Sequence, residues 1–289
     1  MNVWQISISR RSLTIAAALV VTVSLGIGAH AALNKRALDA AKTIMSEPGE
    51  AVTAKGSKLA LVIGNGHYPD AHAPLAQPIN DARALTATLR KSGFDVDVVE
   101  DASKDDMLRA VARLQSKVKP DTVVMLYFGG YGVQANRESY MIPVDARIWK
   151  ETDVRREGVS VESVLDAIQE KGARARLVVV DASRRNPYER RFRAYSHGLA
   201  PISAPENSLI LTSATPGKVA DDSNGQHSVL MTELLTQLNP QLAGIESAFN
   251  KTRIAISRAT EGEQVPSVSS SLQEDVSFTA TVASDKAGS

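Results

Sequence analysis

Between Lys58 and Phe278 the chain alternates short apolar runs with amphipathic stretches, and this alternation restricts it to a small set of folds. The runs are Leu59–Gly64, Val96–Glu100, Thr122–Phe128, Arg176–Asp181 and Ser208–Ser213. Most of them lack the polar alternation of a half-exposed strand, so both of their faces must be covered. Helical periodicity over Ile79–Ser92, Lys104–Lys117, Ser160–Gln169, Ser228–Leu238 and Ile245–Arg258 supplies that cover. The stretch SYMIPV, around Tyr140, is a shorter strand candidate. Strand–helix alternation of this kind predicts right-handed crossovers and a single α/β domain. Its sheet is mostly parallel, with helices on both faces.

Sheets of that type bind ligands beyond the carboxyl ends of their strands. Three loops leave strands at that edge: GNGHYPD, GGYGVQ and ASRRNP. Parallel topology therefore lets His67, Tyr131 and Ser183 share one crevice, although they are far apart in sequence. Tyr131 and Ser183 each follow a buried run directly, where α/β enzymes keep catalytic groups. Composition narrows the chemistry. Lysine and arginine total 33 against 32 aspartates and glutamates, so no global field favours nucleic acid or anionic lipid. The absence of cysteine removes disulfides, thiolate metal sites and a cysteine nucleophile. Nucleotide binding through GNGHY lacks a phosphate-loop lysine and a full glycine fingerprint.

At the N-terminus, Arg10 and Arg11 precede an uncharged run from Ser12 to Gly28, and AHA at Ala29–Ala31 supplies small residues. A positive start, an apolar stretch and an A-x-A site describe a secretory signal over residues 1–31. The alternative is an uncleaved membrane anchor, since the run approaches the shortest spans. SRRSL partly resembles a twin-arginine signal. Either route exports the chain, with a periplasmic destination. Residues 32–57 read as a short helix and linker, residues 58–278 as the folded domain, and residues 279–289 as a frayed tail.

The segments ALVIGNGHYP, PINDARALTATLRKSGFDV, YMIPVDA, DASRRNP, TSATPGKVADD and QVPSVSSSL, in this order and spacing, resemble the caspase-like peptidases of the bacterial metacaspase type. The resemblance covers nearly all of Lys58–Phe278. It implies a caspase-like three-layer α/β sandwich and cysteine-type endopeptidase ancestry. In that family one strand ends in a glycine-flanked histidine and a later one in Asp-Ala-Cys-Arg. Caspase histidines lie about 50 residues before the cysteine; Tyr131 and Ser183 are 52 positions apart. Both dyad positions are changed while the frame around them is kept.

The replaced pair is poorly suited to hydrolysis. A serine needs an adjacent base. A tyrosine with pKa near ~10 is about 0.1% ionised at pH 7. Losing the nucleophile or base of such a unit costs on the order of 10⁶-fold in turnover. The expectation is a catalytically inactive pseudopeptidase that binds peptides or a protein partner. The alternative is an active hydrolase using Ser183, with His67 as a substitute base.

The resemblance also implies a pocket for basic side chains. Family members that cut after arginine or lysine carry carboxylates two residues before the nucleophile, matching Asp181, and in an Asn-Asp-Ala stretch, matching Asp81. Paired carboxylates suit guanidinium recognition through ionic, bidentate hydrogen bonds. A helix cap or first-turn acid is the other reading of Asp81. The expected partner is a peptide or protein with exposed arginine or lysine. The five arginines of SRRNPYERRFRAYSHG read as an exposed, mobile loop, or as a processing site. ADDSNGQHS offers too few oxygens for calcium, so no metal and no cofactor are expected.

Overall fold

The computed structural model describes residues 57–71, 74–192, 198–220, 225–238, 244–274 and 276–278. The expected export segment (1–31), almost all of the linker and the 279–289 tail lie outside these residues. Nine strands and six α-helices run in the order β1 (Lys58–Gly64), α1 (Gln77–Lys91), β2 (Asp95–Glu100), α2 (Lys104–Lys117), β3 (Val123–Gly129), β4 (Gly132–Ala135), β5 (Glu138–Met141), α3 (Glu151–Glu157), β6 (Val159–Ser160), α4 (Val161–Glu170), β7 (Ala175–Asp181), β8 (Ser208–Thr212), α5 (Val229–Gln237), α6 (Ile245–Ala259) and β9 (Ser267–Ser270) among the described residues. The main sheet has the order β2-β1-β3-β7-β8-β9. All its pairings are parallel except β8 with β9.

Strand periodicity sorts the core into two layers. Leu59, Leu61 and Ile63 of β1, with Val124, Leu126 and Phe128 of β3, pack with α2 and α4. Ala60 and Val62, with Val123, Met125 and Tyr127, pack with α1, α5 and α6. The result is the expected three-layer α/β sandwich. The β1–α1–β2 crossover leads one way from β1 and the next leads back past it to β3. The order therefore switches between β1 and β3, and their carboxyl ends open the crevice.

The short strand candidate around Tyr140 corresponds to β5, whereas β4, α3 and β6 were not anticipated. Strands β4 and β5 form a hairpin whose two turn residues, Asn136 and Arg137, both have left-handed backbone (φ 51° and 68°), as a tight two-residue hairpin turn requires. The short helix α3 and two-residue β6 are below the length at which periodicity speaks. Helix α1 starts at Gln77, two residues before the expected Ile79, because Pro78 fits the first turn.

Asn65, just past β1, holds the crevice loops together. Its buried amide donates to the Ala102 and Ile142 carbonyls (3.4 and 3.2 Å) and accepts from Ala102 N (2.9 Å). Beside it, Tyr68 Oη donates to the Ile142 carbonyl (3.1 Å) and accepts from Tyr131 N (3.0 Å). A Cβ at Gly130 would collide with Tyr68 Oη and the Phe128 ring. Gly130→Ala should therefore cost about 1–3 kcal/mol through overpacking. The measurement is the urea midpoint, which should fall with the slope unchanged; an unaltered midpoint would show that the loops relax freely.

Candidate functional site

Tyr131 leaves β3 at the switch point and turns inward. It is buried, and its ring meets Tyr68 edge-on, with centroids 4.9 Å apart and planes at 66°. Tyr188 lies in the same apolar cluster. Such edge-to-face pairs stabilise by about 0.5–1.5 kcal/mol beyond burial. The position that the resemblance assigns to a general base is thus filled by an aromatic core residue.

Ser183 is completely buried, and its Oγ has no hydrogen-bond partner among the described residues. His67 makes no hydrogen bond to it. The imidazole is 75% exposed, and its Nδ1 pairs with Asp101 Oδ2 at 2.5 Å. Burial pushes the Asp101 carboxyl up, but donation from the His67 and Gly66 backbone N–H groups and from the His67 ring brings it below the usual carboxylate range. The shared crevice expected for His67, Tyr131 and Ser183 therefore contains no nucleophile–base hydrogen bond.

The backbone donors are engaged as well. Gly130 N donates to the Asp181 carbonyl (3.3 Å), and Gly132 N and Arg184 N both donate to the Ala182 carbonyl (3.0 and 2.8 Å). Tyr131 N donates to Tyr68 Oη (3.0 Å) and Ser183 N to Ser213 Oγ (3.2 Å). Stabilising a tetrahedral oxyanion needs N–H groups aimed at the oxygen from about 2.7–3.1 Å. All five candidates here already point at protein oxygens.

The two acids do lie near each other. Asp181 shares the parity of Leu177 and Val179 and so faces the layer covered by α1, which carries Asp81. Tyr127 sits between them in charge terms: its phenol is pushed far up by burial and by both carboxylates. Asp81 is 0% exposed and Asp181 2%, so neither faces open solvent. Asp81 is in the second turn of α1, not at its cap; the helix-cap reading is corrected on this point. It accepts from His227 Nδ1 (2.8 Å) and from Ser228 N (3.2 Å), the residue that caps α5. Burial and the Asp181 charge push its carboxyl up to about 6, against the opposing pull of His227 and Ser228.

Asp181 is met by the chain's own Arg184. The two are 4% and 3% exposed at 3.5 Å, and the same guanidinium donates to the carbonyls of Gly130 (3.0 Å) and Asp181. Asp181 Oδ2 keeps no hydrogen-bond partner among the described residues. The exposed-loop reading of this arginine-rich segment is corrected for Arg184 and for Arg191, which is held by Asp70 Oδ2 (2.7 Å) and the Ile148 carbonyl (2.6 Å), while Arg185 and Arg190 are exposed. Residues 193–197 of that loop and 221–224 of the acidic loop lie outside the described residues. No group of three or more metal-ligating side chains occurs among the described residues. Sequence reasoning passed over Arg184, Tyr68 and Tyr188; none stands out without the fold, because their partners are set by how the loops meet.

Residues 57–277 match the family model of the caspase domain. The chain belongs to the caspase-domain family. It is also 32% identical over 134 residues to the human mucosa-associated lymphoid tissue lymphoma translocation protein 1, and equally so to its mouse homologue. That stretch is 46% of this chain but 16% of either relative. Within this caspase domain, Tyr131 and Ser183 occupy strand ends on neighbouring β3 and β7, and the acids lie below them on the α1 side.

The raised carboxyl of Asp81 makes stability depend on pH. Its folded-state affinity for a proton exceeds that of the unfolded chain. Its stabilising effect is therefore full below the ordinary carboxylate range and is lost as pH rises through about 6. Asp81→Asn keeps an acceptor for Ser228 N and removes repulsion with Asp181. At pH 7.5 it should be more stable than wild type by about 2 kcal/mol, a Tm rise of roughly 4–8 °C. The gap should narrow as pH falls to 5. Parallel thermal melts check this, and a pH-independent gap would mean that Asp81 ionises normally.

Proposed function

We propose that this exported caspase-domain protein is a catalytically inactive pseudopeptidase that acts by binding a peptide or protein partner. The observation that carries the reading is the buried Ser183 hydroxyl, which has no hydrogen-bonded base among the described residues. The five engaged N–H groups around it support the same conclusion, because they leave no preformed oxyanion site. A partner with exposed arginine or lysine remains the proposed ligand of the acid pair. Its guanidinium would exchange with Arg184 and reach the unpartnered Asp181 Oδ2. No described helix is long and apolar enough to cross a membrane; the proposed export rests on the N-terminal sequence.

Purified protein should not cleave arginine-, lysine- or aspartate-directed peptides above the Ser183→Ala background. Turnover abolished by Ser183→Ala would overturn the proposal, and further loss in His67→Ala would establish serine hydrolysis instead. Binding is tested separately with a peptide containing one internal arginine and its citrulline analogue. Hydrogen bonds to a charged group are worth about 1.5–3 kcal/mol, so wild type should prefer arginine by roughly ten- to a hundredfold. Asp181→Asn should lose most of that preference. Equal affinities in wild type would make the acids structural. For location, a reporter active only outside the cytoplasm should work when fused to the full chain and fail after deletion of residues 1–31.

A further inference from the structure

The most exposed large apolar side chain among the described residues is Trp149, at 66%. It lies on the loop from β5 to α3, and its backbone is tied to the start of that helix. Trp149 N and Lys150 N both donate to Asp153 Oδ2, each at 3.1 Å. One side of the indole is covered by the Arg191 guanidinium, 4.9 Å from the ring centroid. That guanidinium also lies over Tyr188, at 5.4 Å, and is anchored by Asp70 from the β1 loop. Loops after β1, β5 and β7 thus build a single stack. It continues inward through Tyr188 to the cluster that holds Tyr131 and Tyr68. An isolated surface tryptophan needs no such scaffold.

The charges next to Trp149 and Arg191 in the chain are mostly basic, although Glu151 follows Lys150. Arg147 and Lys150 flank Trp149 in sequence and Arg190 flanks Arg191; all three are exposed, and the Lys150 charge also acts on Asp153. The nearby acids are engaged: Asp70 with Arg191, Asp153 with Arg156, and Glu189 with Arg185. An exposed aromatic plane stacked on one guanidinium, with three exposed cations next to it in the chain, is complementary to a ligand with an apolar side chain between carboxylates. Rigid aromatic anchors carry a large share of binding free energy because little side-chain entropy is lost. Surrounding cations add long-range attraction that falls with salt.

We propose that Trp149, with Arg147, Lys150 and Arg190, forms a docking site for an acidic peptide segment that carries an aromatic residue. The site is independent of the acid pair and stands whether or not an arginine enters at Asp181. It commits the partner to a negative stretch in the segment that lies on this rim.

The probe is a fluorescein-labelled peptide with a central phenylalanine between glutamates and no lysine or arginine. Fluorescence anisotropy with the full chain at low and moderate salt reports binding. The glutamate peptide should bind at least tenfold more tightly than its glutamine counterpart, and the preference should shrink as salt rises. Trp149→Ala should weaken binding at least tenfold, and Trp149→Phe should retain most of it. Arg147→Ala, Lys150→Ala and Arg190→Ala should each weaken it two- to fivefold and flatten the salt dependence. Thermal melts of these surface variants exclude unfolding as the cause. Equal binding of glutamate and glutamine peptides, or an unchanged affinity in Trp149→Ala, would overturn the proposal. Tighter Trp149-dependent binding of a single-stranded oligonucleotide would replace the peptide with a nucleic acid. Because the probe lacks basic residues, its outcome is separate from the citrulline test: either can fail alone.

Discussion

The crevice depends on the buried pairing of Arg184 with Asp181. Two carboxylates, Asp81 and Asp181, are enclosed in a layer otherwise built from Val62, Leu85, Val179 and similar side chains. Removing an ionised carboxylate from water costs several kcal/mol even after relaxation, so each needs a compensating partner. Arg184 supplies one for Asp181, and His227 with Ser228 N supplies one for Asp81. The arrangement also crosslinks the backbone. The Arg184 guanidinium joins the Gly130 carbonyl after β3 to the Asp181 carbonyl at the end of β7, while Gly130 N reaches that same Asp181 carbonyl. One side chain therefore joins the two loops that carry Tyr131 and Ser183.

Under the proposed inactivity, filling the crevice in this way exchanges reactivity for packing. A general base must expose a titratable nitrogen or oxygen to the nucleophile, and that group resists burial without a partner. Tyr131 escapes the constraint: its ring packs on Tyr68 and joins the cluster of Tyr188 and Ile142. The aromatic layer so formed runs from the centre of the edge to the surface at Trp149. In the proposed reading, the frame that once oriented catalytic groups now supports a recognition surface. Such an exchange has a physical basis, since replacing strained or partly unsatisfied active-site groups by packed ones raises stability.

Much of this was legible from residue order. Five fully or mostly apolar runs specified the parallel sheet because only strands covered on both faces tolerate such composition. Tyr131 and Ser183 could be placed at strand ends because glycines and a change in hydropathy mark where β3 and β7 stop. The proximity of Asp81 and Asp181 followed from the family resemblance. What was not legible was which internal side chains meet those acids. Arg184 sits in a run of arginines, and nothing local distinguishes it from exposed Arg185; the difference is made by the Gly130 carbonyl, 54 positions away. His227 likewise faces Asp81 across 146 positions. The hairpin turn at Asn136 and Arg137 was missed because β4 and β5 are four residues each, too short for alternation to show.

The backbone gives the proposed inactivity a second cause that is independent of the two substituted side chains. Suppose a histidine and a cysteine stood at positions 131 and 183. The nucleophile and base would return, but the developing oxyanion would still need two N–H groups pointing at it. Gly132 N is directed at the Ala182 carbonyl and Ser183 N at Ser213 Oγ, and Ser213 is itself buried, with its carbonyl accepting from Gln264 Nε2 at 2.8 Å. Turning Ser183 N outward would strand the Ser213 hydroxyl, which would lose its donor. A buried polar group left without a partner costs about 1–3 kcal/mol. The peptide planes around the site are thus held by the same hydrogen bonds that close the β3–β7 edge, so reactivity and closure oppose each other at the level of the main chain.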